Sequence, residues 1–171
     1  MERSGDTVNA MLSPWLWTGD GMLSCEISDE NRDSTIWDRS TLYGLKAAFL
    51  AGEGDRILGF LLAYCRKRLL GDRVPYAVEA YPEGAKRHLS AESALFVRVL
   101  TEGLLGLQPE GLTRFSFVPR LPEGMPHLYV DDLNIAGHCW GIRIEKDRWA
   151  VEKDHGPWAE GVTDGRRVTM E

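Results

Sequence analysis

Apolar residues recur at helical intervals through the middle of the chain and alternate with polar ones towards its end. Leu42, Leu45 and Phe49 share one side of a segment that opens at Ser40 and closes at Gly52. This spacing predicts a helix with Ser40 as N-cap and Gly52 as its stop. After a turn at Glu53 and Gly54, Ile57, Leu58, Leu61, Leu62, Cys65 and Leu69 follow at intervals of three and four. They predict a second helix starting after Asp55. Arg66, Lys67 and Arg68 in its last turn complement the carbonyl end of the helix dipole, and Gly71 ends it. The two helices form a hairpin. A third helix is predicted from Ser90, with Glu92 in its first turn and Phe96, Val99, Leu100, Gly103 and Leu104 along one face. Leu95 and Val97 lie off that face and are apolar too, the pattern of a helix surrounded by others.

After Gly106 the period changes to two. Arg114 to Val118, Leu128 to Leu133, His138 to Glu145 and Arg148 to Glu152 predict short strands separated by Pro, Gly and Asp turns. In the third of these, Trp140, Ile142 and Ile144 alternate with Arg143 and Glu145, so it reads as a half-buried antiparallel strand. From Lys153 onward Gly156, Pro157, Gly161 and Gly165 predict a loosely held extension or one last weak strand. At the other end, Met1 to about Asp33 shows no sustained period and predicts an irregular entry segment carrying Trp15 and Trp17. Pro75, Pro82 and Gly84 exclude a helix between Asp72 and Leu89. A loop of that length between well-formed helices marks a candidate site. The expected organisation is a largely helical part over 1–106 and a β part over 107–171.

Composition narrows the partners more than the fold. The chain has 171 residues, 43% hydrophobic and 27% charged, enough for one domain or for two small lobes. A formal net charge of −6 repels phosphate backbones at long range and sets nucleic acid aside. The most apolar run, Ile57 to Cys65, is about half of the roughly 20 residues that a membrane-spanning helix needs. Met1 to Thr7 is polar and lacks the apolar middle of a signal peptide, so a cytoplasmic location is expected. Cys25, Cys65 and Cys139 are odd in number and far apart, the pattern of free thiols. His88, His127, His138 and His155 show no i, i+4 pairing. Neither a zinc site nor a cofactor is expected on that evidence of spacing.

Several runs of the sequence carry a resemblance. Val78-Glu79-Ala80-Tyr81-Pro82-Glu83-Gly84 is followed by Leu89-Ser90-Ala91-Glu92-Ser93-Ala94 and by Glu102-Gly103-Leu104-Leu105-Gly106-Leu107-Gln108-Pro109. Phe115 to Pro119 and Arg120-Leu121-Pro122-Glu123-Gly124 come next. In this order they resemble the C-terminal portion of six-hairpin glycosidases of the glucoamylase-like superfamily, over about Asp29 to Lys146. The resemblance implies an α+β chain made of the final helical hairpins of an (α/α)6 toroid followed by a small antiparallel β region. It also implies a glycoside hydrolase acting on oligosaccharides by inversion, with Glu79 as general base and Tyr81 as the aromatic beside it. Ala80 stands where such enzymes carry a polar or aromatic neighbour, and Pro82 intrudes, so Glu83 remains a second candidate for the base.

Read without the resemblance, Glu79 is a loop carboxylate that caps a turn or pairs with Arg73 or Arg87. Asp29, Glu30 and Asp33 precede Trp37 as an acidic cluster, either a solvated turn or a group of sugar contacts. Trp37 and Tyr81 are suited to stack on pyranose rings or to fill a core. With Asp33 and His88 they complete the candidate substrate-binding set. Trp140, Trp149 and Trp158 raise the alternative of a carbohydrate-binding β module, although alternation puts Trp140 on the buried side. Two further alternatives are a fragment like the disaccharide phosphorylases, in which phosphate replaces activated water, and a non-catalytic remnant that packs on a partner chain.

An inverting glycosidase needs two carboxyl groups about 6.5 to 9.5 Å apart. The resemblance would place the partner of Glu79 on an earlier hairpin. Twelve helices of about 11 or 12 residues, together with their loops, exceed this chain, which is therefore expected to be the tail of a longer polypeptide or a truncated relative. Three helices drawn from a ring expose an apolar face, so the isolated chain is expected to self-associate or to require a missing N-terminal toroid. Sedimentation checks this: a monodisperse monomer that melts cooperatively and binds no hydrophobic dye counts against it.

Overall fold

The computed structural model of the chain describes residues 2–23, 36–70, 80–81 and 90–171, with the backbone alone at 2–4, 80, 81 and 90. It divides into two compact units, Met1–Gly103 and Leu104–Glu171.

The first unit is arranged around one helix. Its elements are α1 (Glu2–Met11), β1 (Trp17–Thr18), β2 (Gly21–Met22), β3 (Ile36–Trp37), α2 (Asp38–Ala51), α3 (Gly54–Arg68), β4 (Ala80–Tyr81) and α4 (Ser90–Arg98). α4 runs on as a π-helical turn over Val99–Leu104. Most of the apolar positions read from the sequence enter the core: Leu42, Leu45 and Phe49 of α2, with Ala48, are buried with Ile57 and Leu61 of α3 and with Val99, whereas Leu62 is exposed and Leu95, read as off the face, is buried. Gly52 ends α2 in the left-handed conformation, φ 92°, and donates its N–H to the carbonyls of Ala48 and Phe49. Gly44 lets neighbours approach α2 closely, because a Cβ there would stand 2.9 Å from the Met22 sulfur and 3.1 Å from that of Met11.

α1 replaces the irregular entry expected for this region. Among its residues with described side chains, Val8 and Met11 are buried, too few contacts for a helical period to emerge from the sequence. Packing on α2 supports it instead of intrinsic propensity.

The second unit is made of β strands. β5 (Gln108–Pro109), β6 (Phe115–Phe117), β7 (His127–Ile135), β8 (His138–Glu145), β9 (Arg148–Lys153), β10 (Gly156–Val162) and β11 (Val168–Met170) form two sheets. One is the antiparallel meander β7-β8-β9-β10 and the other is β5-β6-β11. As alternation predicts, Trp140, Ile142 and Ile144 face inward and are fully buried. Phe115 meets Trp140 edge-on at 4.9 Å between ring centroids, and Phe117 meets Trp149 at 5.6 Å. Phe115 and Phe117 of one sheet thus close on Trp140 and Trp149 of the other, a favoured geometry for aromatic pairs. The tail is not a loose extension. It supplies β10, laddered on β9, and β11, laddered on β6.

The expectation of toroid hairpins is corrected. α2 and α3 do form a hairpin across a short turn, but α1 and α4 also pack on α2. A helix covered by three others is a hub, whereas a toroid lays each hairpin against the next. All other elements among the described residues are short strands or the longer strands of the second unit.

Glu102 ties the π-helical turn to α2. Its carboxylate accepts from Arg98 and, at 2.6 Å, from Lys46 Nζ. The Arg98 hydrogen bond first, and Lys46 after it, hold the Glu102 pKa down to about 2 from its ordinary 4.5 against the opposing effect of burial. A carboxyl group with a lowered folded-state pKa stabilises the fold in full above its unfolded value, and loses that contribution as the pH falls through the folded one. The Glu102→Gln variant is therefore expected to be less stable than the parent at neutral pH. Urea titrations should show the gap closing between about pH 4.5 and pH 2; a constant gap contradicts the assignment.

Candidate functional site

The candidate residues divide into those described and those not. Glu79, Glu83, Asp33 and His88 lie outside the described residues. Trp37 and the backbone of Tyr81 lie within them, brought together by the antiparallel pairing of β3 and β4. In that ladder Trp37 stands opposite Ala80, and Ile36 opposite Tyr81. Side chains on a strand alternate between faces. Ile36 accordingly turns into the core while Trp37 remains 43% exposed, so its ring is available to a ligand.

What fixes Trp37 lies immediately behind it. Trp37 occupies the N-cap position of α2, with φ −84° and ψ 120° and no capping hydrogen bond from its side chain. The next residue, Asp38, is fully buried in the first turn, where the helix dipole favours negative charge. Arg68, also fully buried, donates from Nε to Asp38 Oδ1 at 3.0 Å. The Tyr64 hydroxyl donates to the other carboxylate oxygen at 3.1 Å. Arg68 Nη2 reaches the carbonyl of Asp20 at 2.7 Å and so anchors the β1–β2 turn to the same pair. Thr41 Oγ1 donates to the Trp37 carbonyl at 3.4 Å and accepts from the Met22 N–H at 2.9 Å. Burial first, and the Asp38 charge and hydrogen bond after it, push the Tyr64 phenol well above its ordinary pKa. It remains a neutral donor.

A second buried carboxylate lies near the start of α2. Arg39 donates from Nε at 2.9 Å and from Nη2 at 2.6 Å to Oε1 of Glu92, in the first turn of α4. The Glu92 side chain is closed to solvent while that of Arg39 is 55% exposed. Glu92 Oε2 has no hydrogen-bond partner among the described residues. Trp37 thus offers a partly exposed, flat aromatic face of the kind that suits the apolar face of a sugar.

Sequence reading missed Asp38, Arg68 and Glu92 as members of a network. The cap was read at Ser40, two residues after Asp38, while Arg68 read as a complement to the dipole and Glu92 as a first-turn acid. The usable signal was that Asp38 opens one helix and Arg68 closes the next, so an antiparallel hairpin returns the second to the first.

In the second unit the tryptophan module loses two of its three members, because Trp140 and Trp149 are core. Trp158 is half exposed, with Lys153 Nζ 4.3 Å from its ring centroid. The outer face of the meander carries another constellation. Ligand atoms of Asp132, Cys139 and His155 lie within 4.8 Å of one another, beside a hollow of about 200 Å³ that Asp131, Gly141, Arg143 and Glu152 also line. The Cys139 thiol donates to Asp132 Oδ1 at 3.5 Å. Burial first, then that hydrogen bond and the nearby carboxylates, raise its pKa.

Neither a protein-family model nor a curated protein sequence matches the chain. A solved structure of a sialidase is similar, with a TM-score of 0.68 and 18% sequence identity over 99% of this chain. The chain spans 18% of the length of that sialidase. At this identity the likeness is one of fold, and it is to a β-rich protein. Together with the packing around α2, it overturns the resemblance to the end of a six-hairpin toroid.

Proposed function

We propose that this chain is part of a carbohydrate-processing protein, a glycoside hydrolase, in which the β3–β4 pairing presents Trp37 to an oligosaccharide and Glu79 serves as general base. The observation that carries the reading is the exposed ring of Trp37, which that pairing holds. Ala80 lies directly opposite the exposed Trp37, and Glu79 is the residue before Ala80. Likeness of fold to a protein named as a sialidase supports the carbohydrate class.

The chemistry asked of each group is simple. The Trp37 ring stacks on the apolar face of a pyranose. The Glu79 carboxylate takes a proton from water as the water attacks the anomeric carbon, and a second carboxyl group protonates the leaving oxygen, with inversion as the outcome. Glu83 is the alternative base. Tyr81, Asp33 and His88 are proposed as further sugar contacts.

Turnover of an oligosaccharide panel, with the anomer first released followed by NMR, tests the proposal. Glu79→Gln is expected to lower kcat by about 10² to 10⁴ with little change in KM, the pattern for a group that acts in the transition state. Trp37→Ala is expected to raise KM through lost stacking. Hydrolysis that survives Glu79→Gln unchanged, or first-formed product that retains its configuration, sinks the base assignment.

A further inference from the structure

We infer that Asp132, Cys139 and His155 form a binding site for a divalent cation of the zinc class on the outer face of the β7–β10 sheet. The inference is independent of the proposed function. The three donors come from separate places in the chain: Asp132 from β7, Cys139 from β8 and His155 from the turn between β9 and β10.

The fold brings them to one point by specific means. β7 and β8 are in regular register up to the Val130–Ile142 pair, and the register then shifts before Leu133 pairs with Trp140. Such a bulge re-aims the side chains it carries. Leu128, Val130, Leu133 and Ile135 pack against the core, so the shift leaves both Asp131 and Asp132 on the outer face. Asp132 takes a left-handed φ of 58° to do so. Cys139 neighbours the inward Trp140 and therefore faces out as well. His155 has a φ of 66°, again left-handed and rare for a residue with a side chain. Gly141 keeps the floor open, since a Cβ there would stand 3.2 Å from Asp131 Oδ1.

Donor chemistry selects the ion. A thiolate, an imidazole and a carboxylate suit zinc and its neighbours, whereas calcium and magnesium require oxygen ligands throughout. Zinc bonds of about 2.0 to 2.3 Å in a tetrahedron place ligand atoms roughly 3.3 to 3.8 Å apart. The Asp132–Cys139 separation of 3.5 Å already lies in that range, and closing the widest separation, within 4.8 Å, requires a side-chain adjustment of about 1 Å. Three protein ligands leave a fourth position for water or for Glu152, which lines the same hollow. Binding converts the thiol to a metal thiolate and releases its proton to solvent.

The surroundings favour a cation. Asp131 and Glu152 line the hollow with Arg143, and Arg143 is paired with Glu152 at 3.7 Å. Asp154 positions Cys139 from behind: its Oδ1 accepts the Cys139 N–H at 3.0 Å and its Oδ2 contacts His138 Nδ1 at 2.8 Å. The first of these contacts fixes the backbone of a donor residue.

Cobalt(II) titration of the chelator-stripped full chain tests the inference. One equivalent is expected to bind with near-ultraviolet thiolate-to-cobalt charge-transfer absorption and the intense visible bands of four-coordinate cobalt, and zinc is expected to displace it. Cys139→Ser should abolish the charge-transfer band, while Asp132→Asn and His155→Ala should each weaken binding by at least about tenfold. Cys65→Ser should change nothing. Circular dichroism of each variant verifies the fold, and the conservative Asp132→Asn change keeps the test valid if another variant unfolds. A parent chain without the charge-transfer band, or a band that survives Cys139→Ser, overturns the assignment.

Discussion

A carboxylate and a guanidinium shut away from water determine the arrangement of the helical unit. Removing two such charges from solvent costs several kcal/mol per ion, and the cost is offset only when geometry and additional hydrogen bonds are good. Asp38 and Arg68 satisfy this requirement with Tyr64 on one carboxylate oxygen and the Asp20 carbonyl on the guanidinium. The demand is directional in a way that apolar burial is not. It joins the start of α2 to the end of α3 and draws the β1–β2 turn onto both. Trp37 precedes Asp38 without an intervening residue, so the exposed ring inherits its position from the buried pair.

The β unit achieves the same separation of duties with apolar means. Trp140, Ile142, Ile144, Trp149 and Val151 form an inner face against Phe115, Phe117 and Met170. Alternation then commits the intervening residues of β8 and β9 to the outer face. Chemistry-bearing groups collect there: Cys139, Arg143 and Glu152, with Asp131 and Asp132 added by the bulge in β7. A rigid, dry inner face is what allows polar groups on the other side to hold a fixed constellation.

Much of this was readable in the residues. α2, α3 and α4 follow from apolar spacing, the Gly52 stop from its freedom at positive φ, and β8 from strict alternation. What escaped depends on contacts between distant positions. α1 exists through Val8 and Met11 on α2, β11 through its ladder with β6, and β3 through its pairing with β4. The toroid expectation failed for the same reason. Short runs such as Glu102 to Pro109 describe a helix end and a turn, and those are compatible with a hub as well as a ring. Of the candidate site, Trp37 was readable as an aromatic of uncertain face, and the pairing with Ala80 decided the face. The cation ligands escaped because a search for i, i+4 histidines assumes a helix, whereas Asp132, Cys139 and His155 meet across strands and a turn.

The Asp38–Arg68 pair acts as one unit in organising the helices. A double-mutant cycle with Asp38→Asn and Arg68→Met, measured by urea unfolding, tests it most directly. Each single change takes the opposite charge away from a buried ion and is expected to cost about 3 to 5 kcal/mol. The double variant is expected to cost less than their sum by about 2 kcal/mol or more. Costs that add to within about 0.5 kcal/mol would contradict the account.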